Sequence, residues 1–71
     1  MVYISVLDFC SLLCLNQPIV IKDIDTREVL WTGIAYDIND FSQNEDSVIS
    51  IEKTDDSGKI EIYIDKAEEI F

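Results

Sequence analysis

The sequence predicts an α+β domain, with one N-terminal helix packed on a four-stranded antiparallel meander sheet. Three observations predict it. The first fifteen residues carry apolar side chains at helical spacing. Pro18 closes that segment, and four β-rich runs follow. Short polar stretches separate most of those runs, as hairpin turns do. At 71 residues the chain makes one small domain spanning 1–71. A chain this short buries only roughly 60–65% of its extended surface, so its stability margin is thin.

The helix is expected from Ser5 to Leu15. Ser5 followed by Asp8 is a weaker form of the capping box. Val6, Phe9, Cys10, Leu13 and Cys14 fall near one stripe, while Leu12 and Leu15 make the other side apolar too. Such a helix either sits deep against the sheet or turns its outer face to a second copy or a partner. A strand over Val2 to Val6 is the competing reading, because Val-Tyr-Ile-Ser-Val is β-rich.

Asn16-Gln17-Pro18 ends the helix, since proline disfavours helical geometry in the residue before it. Ile19 to Ile24 reads as a strand, and Asp25-Thr26-Arg27-Glu28 as a hairpin turn. Glycine would be the comfortable residue at a left-handed turn position, which Arg27 and Glu28 are not. Val29 to Ile38 follows as the longest strand and the expected hub of the sheet. Alternation puts Leu30, Thr32, Ile34, Tyr36 and Ile38 on one face, with Val29, Trp31, Gly33, Ala35 and Asp37 on the other. Gly33 inside it signals a bulge or a close backbone approach. Asn39 to Asp46 is a polar loop, Ser47 to Thr54 a third strand, Asp55 to Gly58 a turn and Lys59 to Lys66 a fourth strand. In that last strand Ile60, Ile62 and Ile64 point inward, and Glu61, Tyr63 and Asp65 outward. The residues after Lys66 form a helical turn or a frayed tail. The expected core is Leu7, Cys10, Leu13, Cys14, Ile19, Ile21, Leu30, Ile34, Ile49, Ile51, Ile60, Ile62 and Ile64.

Composition removes several function classes. The chain has 15 acidic and 5 basic residues, a net charge of −10. That disfavours direct nucleic-acid binding, which draws its affinity from Lys and Arg on phosphates. It equally disfavours anionic membrane surfaces and favours basic protein surfaces. There is no His, so Cys-His zinc sites and His-based catalysis are excluded within these residues. Cys10 and Cys14 sit four apart, a spacing that suits a helical disulfide poorly. Two lone thiols point to a reducing compartment, read here as the cytoplasm. The apolar start lacks the basic region and cleavage site of a signal peptide and is too short to span a bilayer.

The order of elements resembles short acidic phage and prophage proteins of Firmicutes. The residues that carry the resemblance are Leu12-Leu13, Pro18-Ile19-Val20-Ile21 and Asp25 to Gly33 with its Trp31-Thr32-Gly33. They continue through Ala35 to Ile38, Val48 to Ile51, and the hairpin Gly58 to Ile64. Arg27 stands where a hairpin glycine is expected. Most proteins of this kind have no known activity, and several of comparable build are anti-defence factors, anti-CRISPR proteins among them. The resemblance therefore implies a non-enzymatic inhibitor in the host cytoplasm. Its partner would be a basic nucleic-acid-binding protein, with a CRISPR effector the leading class.

The carboxylates come in groups at Asp23, Asp25 and Glu28, at Asp37, Asp40, Glu45 and Asp46, and at Asp55 and Asp56. Arrayed on one surface, such groups would imitate the phosphates of DNA. The expected partner-binding residues are Asp23, Asp25, Glu28, Trp31, Tyr36, Asp37, Asp40, Glu45 and Asp46. Trp31 and Tyr36 belong there as interface anchors, although Trp31 reads equally well as packing within the sheet. Asp37, Asp40, Glu45 and Asp46 offer the oxygen ligands of a hard cation, but their spacing matches no EF-hand loop. No catalytic residue, metal or cofactor is assigned. Two other classes remain open: an oligomeric module binding a nucleotide or a single strand, and a structural or assembly domain.

Overall fold

The computed structural model describes residues 4–53 and 58–65. They form helix α1 (Val6–Cys10), strands β1 (Pro18–Asp23) and β2 (Val29–Ile34), a 3₁₀ helix (Ala35–Asp40), and strands β3 (Ser50–Lys53) and β4 (Ile60–Ile64). The fold is α+β with four strands, as expected, but the sheet is mixed and not a meander. Its order is β2-β1-β4-β3. Each hairpin is antiparallel, β1 with β2 and β3 with β4, while β1 and β4 meet in parallel. Parallel neighbours need a long crossover. Residues 35–49 supply it by running over one face of the sheet.

The central strands are β1 and β4, not the Val29–Ile38 segment. Ile19 and Ile21 of β1 face Ile60 and Ile62 of β4, and all but the half-buried Ile60 are fully buried. Ile64 is fully buried opposite Asp23. β2 lies at an edge, and it stops at Ile34 because its partner runs out. Ile34 pairs with Pro18, which has no N–H to offer. Beyond it the Ala35 and Tyr36 N–H groups donate to the Gln17 and Leu15 carbonyls, at 2.9 and 2.8 Å, and the chain turns into the 3₁₀ helix. That helix buries Ala35 and Ile38. With Phe41, Val6 and Cys10 they close the core over the isoleucines.

Helix α1 is shorter than the Ser5–Leu15 expected. Its start is as read: Ser5 is the N-cap, and its hydroxyl accepts from the Asp8 N–H at 3.1 Å. Its end comes early. The Ser11 hydroxyl donates to the Asp8 carbonyl at 2.6 Å, and Leu12 and Leu13 donate three residues back to Phe9 and Cys10. The tightened turn leads Leu12 and Leu15 out to solvent, 75% and 66% exposed. Residues 44–48 are tied to the start of the helix: Val6 and Leu7 donate to the Asp46 and Asn44 carbonyls, and Val48 donates to that of Ile4.

The core differs from the expected list in the same sense. Cys14, Ile49 and Ile51 are exposed, and Leu7, Leu13, Leu30, Ile34 and Ile60 are half-buried. Val6, Ala35, Ile38 and Phe41 take their places. The third strand begins at Ser50, not at Ser47. Gly58 has φ 70°, in keeping with a turn, whereas Asp55, Asp56 and the segment after Lys66 lie outside the described residues.

Gly33 marks a close approach and not a bulge. It pairs in register with Ile19, and the irregularity falls instead between Ile21 and Lys22, where β2 carries Leu30 as the extra residue. The Trp31 indole folds over Gly33. A Cβ there would lie 2.7 Å from Trp31 Cη2 and 2.9 Å from Cζ2. Since Trp31 faces Ile21 and Gly33 faces Ile19, this is the core side of the sheet, opposite to the side on which Leu30 and Ile34 were placed. Gly33→Ala is expected to destabilise the protein by about 1–3 kcal/mol through overpacking. Urea denaturation monitored by the emission of Trp31 measures both the loss and the displacement of the ring.

Candidate functional site

Three carboxylates converge at one end of the sheet. Parallel pairing puts the C-terminal ends of β1 and β4 side by side, with Asp23 opposite Ile64 and Asp65 next in the chain. The β1–β2 turn then brings Asp25 to the same place. Asp23, Asp25 and Asp65 each offer an oxygen within 4.8 Å of the others. Asp23 is 8% exposed, the one buried residue among the described Asp, Glu, Lys and Arg.

The Asp23 carboxylate organises the turn. Its Oδ1 accepts from the Asp25 N–H at 3.3 Å and its Oδ2 from the Thr26 hydroxyl at 3.1 Å. Thr26 Oγ1 in turn accepts from the Glu28 N–H at 3.2 Å. The backbone closes the loop through Asp23 N–H to the Glu28 carbonyl, 3.0 Å, and Arg27 N–H to the Asp23 carbonyl, 2.8 Å. Arg27 takes the left-handed position, φ 62°, where glycine was expected. Oxygen ligands at this spacing suit a hard cation in kind. Both oxygens of Asp23, however, already accept hydrogen bonds from its own turn, and that is the role the geometry gives it.

The other face of the sheet carries a polar network. The Arg27 guanidinium lies over the Tyr63 ring, 5.4 Å from its centroid, and Nη1 donates to the Tyr63 hydroxyl at 3.3 Å. The Tyr63 hydroxyl donates to Glu61 Oε1 at 2.8 Å, and Lys22 Nζ sits 3.4 Å from the same oxygen. Glu52 approaches Arg27 at 3.9 Å. Tyr63 points away from the core, as the alternation requires, yet it is buried under this network. The hydrogen bond to Glu61 pushes the Tyr63 phenol up to about 12, with desolvation and Glu52 adding to it. The Glu61 carboxyl is lowered, first by the hydrogen bond from Tyr63 and then, against some desolvation, by Lys22 and Arg27.

The expected partner-binding residues do not form one site. Asp23, Asp25 and Glu28 surround the β1–β2 turn. Asp37 and Asp40 lie on the 3₁₀ helix, which leaves β2 at the Pro18 end, the opposite end of β1 from Asp23. Glu45 is exposed, and Asp46 is half-buried where its carbonyl receives the Val6 N–H. Trp31 is half-buried against the core, its ring 6.2 Å from that of Phe41, so its packing role is the one the structure supports. Tyr36 is 65% exposed. Sequence reasoning placed Asp65 on the outward side of the last strand and did not count it in the site; only the parallel register of β1 and β4 brings it beside Asp23. No helix among the described residues is long and apolar enough to cross a membrane. No family model matches the chain, and no curated protein or solved structure matches it.

Two measurements test this description. Tyr63 has a raised pKa in the folded state, so its contribution to stability is present below the ordinary tyrosine value of about 10 and is lost as pH rises towards about 12. Melting temperatures measured across that window should fall more steeply in the wild type than in Tyr63→Phe. The second measurement concerns the thiols. Cys10 is buried and its thiol is pushed up to about 11 by desolvation, while Cys14 is exposed. At mildly alkaline pH iodoacetamide is expected to modify Cys14 quickly and Cys10 only after denaturation, as peptide mass mapping would show.

Proposed function

We propose that this chain is a non-catalytic anti-defence protein that binds a basic, nucleic-acid-binding partner through its acidic surface. A CRISPR effector is the partner class that the resemblance to phage proteins favours. One observation carries the reading at the level of geometry: the convergence of Asp23, Asp25 and Asp65 within 4.8 Å at one end of the sheet. Lys22 is turned to Glu61, and Arg27 to Tyr63 and Glu52, on the other face. The net charge of −10 makes the long-range field of the chain negative, which speeds encounter with a positive groove. On this reading the carboxylates occupy Lys and Arg side chains that otherwise hold phosphates.

The base-stacking alternative draws no comparable support. It needs open aromatic faces on the sheet. Trp31 is packed against Phe41 and Gly33, and Tyr63 is covered by Arg27.

Binding to purified CRISPR effectors, measured with and without bound nucleic acid, tests the proposal. The expected result is competition with the nucleic acid and affinity that falls steeply with salt. Asp25→Asn combined with Asp65→Asn is expected to weaken binding by roughly tenfold, and Asp37→Asn combined with Asp40→Asn at the opposite end by less. Affinity indifferent to salt, or binding alongside nucleic acid without competition, would overturn the acidic-surface mechanism.

A further inference from the structure

The β1–β2 turn is fastened to β4 on both sides of Asp25 and Thr26. Before them, the Ile24 N–H donates to the Ile64 carbonyl at 2.8 Å. After them, the Arg27 guanidinium lies 5.4 Å from the Tyr63 ring centroid, and its Nη1 donates to the Tyr63 hydroxyl at 3.3 Å. The first tie is backbone and does not depend on the side chain. The second exists because position 27 carries an arginine in the left-handed region, φ 62°, which glycine would enter without steric cost. A force opposes the position of the turn. Asp23, Asp25 and Asp65 bring carboxylate oxygens within 4.8 Å of one another, and like charges at that distance repel. Asp23 ends β1, and Asp65 follows Ile64 at the end of β4, so strand pairing sets where both sit. Asp25 lies in the turn and is the member that repulsion can swing away.

We propose that Arg27 is a positioning residue: by anchoring the turn on Tyr63 it holds Asp25 beside Asp23 and Asp65 against their mutual repulsion. The anchoring is a property of the free protein, while its consequence for a partner rests on the acidic-surface reading above. Glu52, 3.9 Å from Arg27 Nη1, and Glu61, which accepts from the Tyr63 hydroxyl, help to keep the guanidinium over the ring. The charge of Arg27 and its anchoring act on a basic partner with opposite signs. The positive charge weakens the attraction. The anchoring strengthens it, because carboxylates already held together need no ordering on binding. Removing the side chain therefore separates the two effects: the chain becomes more negative, yet it presents its carboxylates less well.

Amide hydrogen exchange on the free protein and affinity for a purified CRISPR effector test it together, in wild type, Arg27→Gly and Arg27→Lys. Glycine suits the left-handed position, so the backbone of that variant keeps its path, and far-ultraviolet circular dichroism checks that both variants fold. In Arg27→Gly the turn amides, at position 27 (to the Asp23 carbonyl) and at Glu28 (to Thr26 Oγ1), are expected to exchange about tenfold faster, while amides within β1 and β4 keep their protection. Arg27→Lys leaves the net charge unchanged but loses the planar stack, and it should loosen the same amides. Affinity for the effector is expected to fall by about threefold to tenfold in both variants, although charge alone would raise it in Arg27→Gly. Turn amides that exchange as in the wild type overturn the proposal. So does acceleration spread evenly over the sheet, which makes Arg27 a contributor to global stability only. A loosened turn with unchanged or higher affinity overturns the role at the partner, provided that Asp25→Asn with Asp65→Asn weakens binding. Where that double variant binds like the wild type, the acidic-surface reading has failed, and the exchange rates alone decide the anchoring.

Discussion

The parallel contact between β1 and β4 is the constraint on which the rest of this structure depends. It places Ile21 beside Ile62 and Asp23 beside Ile64, and with Ile19 it supplies four isoleucines with no exposed surface. Burying each contributes on the order of 1.5–3 kcal/mol. That sum is on the scale of the whole net stability expected of a chain this size, roughly 4–10 kcal/mol. The contact also dictates the path of the chain. Two antiparallel hairpins can be joined with their first and last strands adjacent only if the link crosses the sheet, and residues 35–49 do so with Ala35, Ile38 and Phe41 as the apolar lid. Without that crossing the lid would have nothing to cover.

How much of this was legible in the sequence depended on how local each feature is. The Ser5 cap, the isoleucine alternation of β4 and the hairpin around Asp25 are set within a few residues, and they came through. The sheet order did not. A meander and the observed order share the β1–β2 and β3–β4 hairpins, and the choice lies in where Val29–Ile38 stops being a strand. The sign was Pro18, far back in the chain on the neighbouring strand, because a proline at the start of β1 limits how far β2 can pair. The length of α1 failed for a different reason. Leu12, Leu13 and Leu15 continue the apolar pattern, but composition reports preference for burial and not burial itself. At the candidate site, Asp23 and Asp25 were visible as neighbours, whereas Asp65 joins them only through the parallel register.

On the face away from the core, the described residues that surround Tyr63 are Arg27, Glu61, Lys22 and Glu52. Placing a non-glycine residue in the left-handed region costs about 1–2 kcal/mol. At Arg27 that cost is offset by what the conformation allows, a guanidinium stacked on Tyr63 and bonded to its hydroxyl. The residue that looked wrong for the turn is thus the one that caps the exposed face. The hairpin and the polar network are a single unit, and the absence of glycine at that position has a positive reason.

The distribution of charge follows from the same economy of layers. Carboxylates concentrate in turns and on the crossover, where the backbone is exposed and hydration is cheap, and β1 and β2 are left largely apolar. For β1 that is demanded by burial on the core side. For β2 burial does not demand it: Val29 and Thr32 are exposed, yet neither is charged. An edge strand in an acidic protein could carry Glu or Lys at both positions at little cost, as β3 does at Glu52 and Lys53. The two edges therefore differ in chemistry although they are equivalent in topology. Core packing accounts for Trp31, Gly33 and Leu30. Thr32 has a role within the sheet, because its hydroxyl donates to the Ile19 carbonyl of β1 at 3.4 Å.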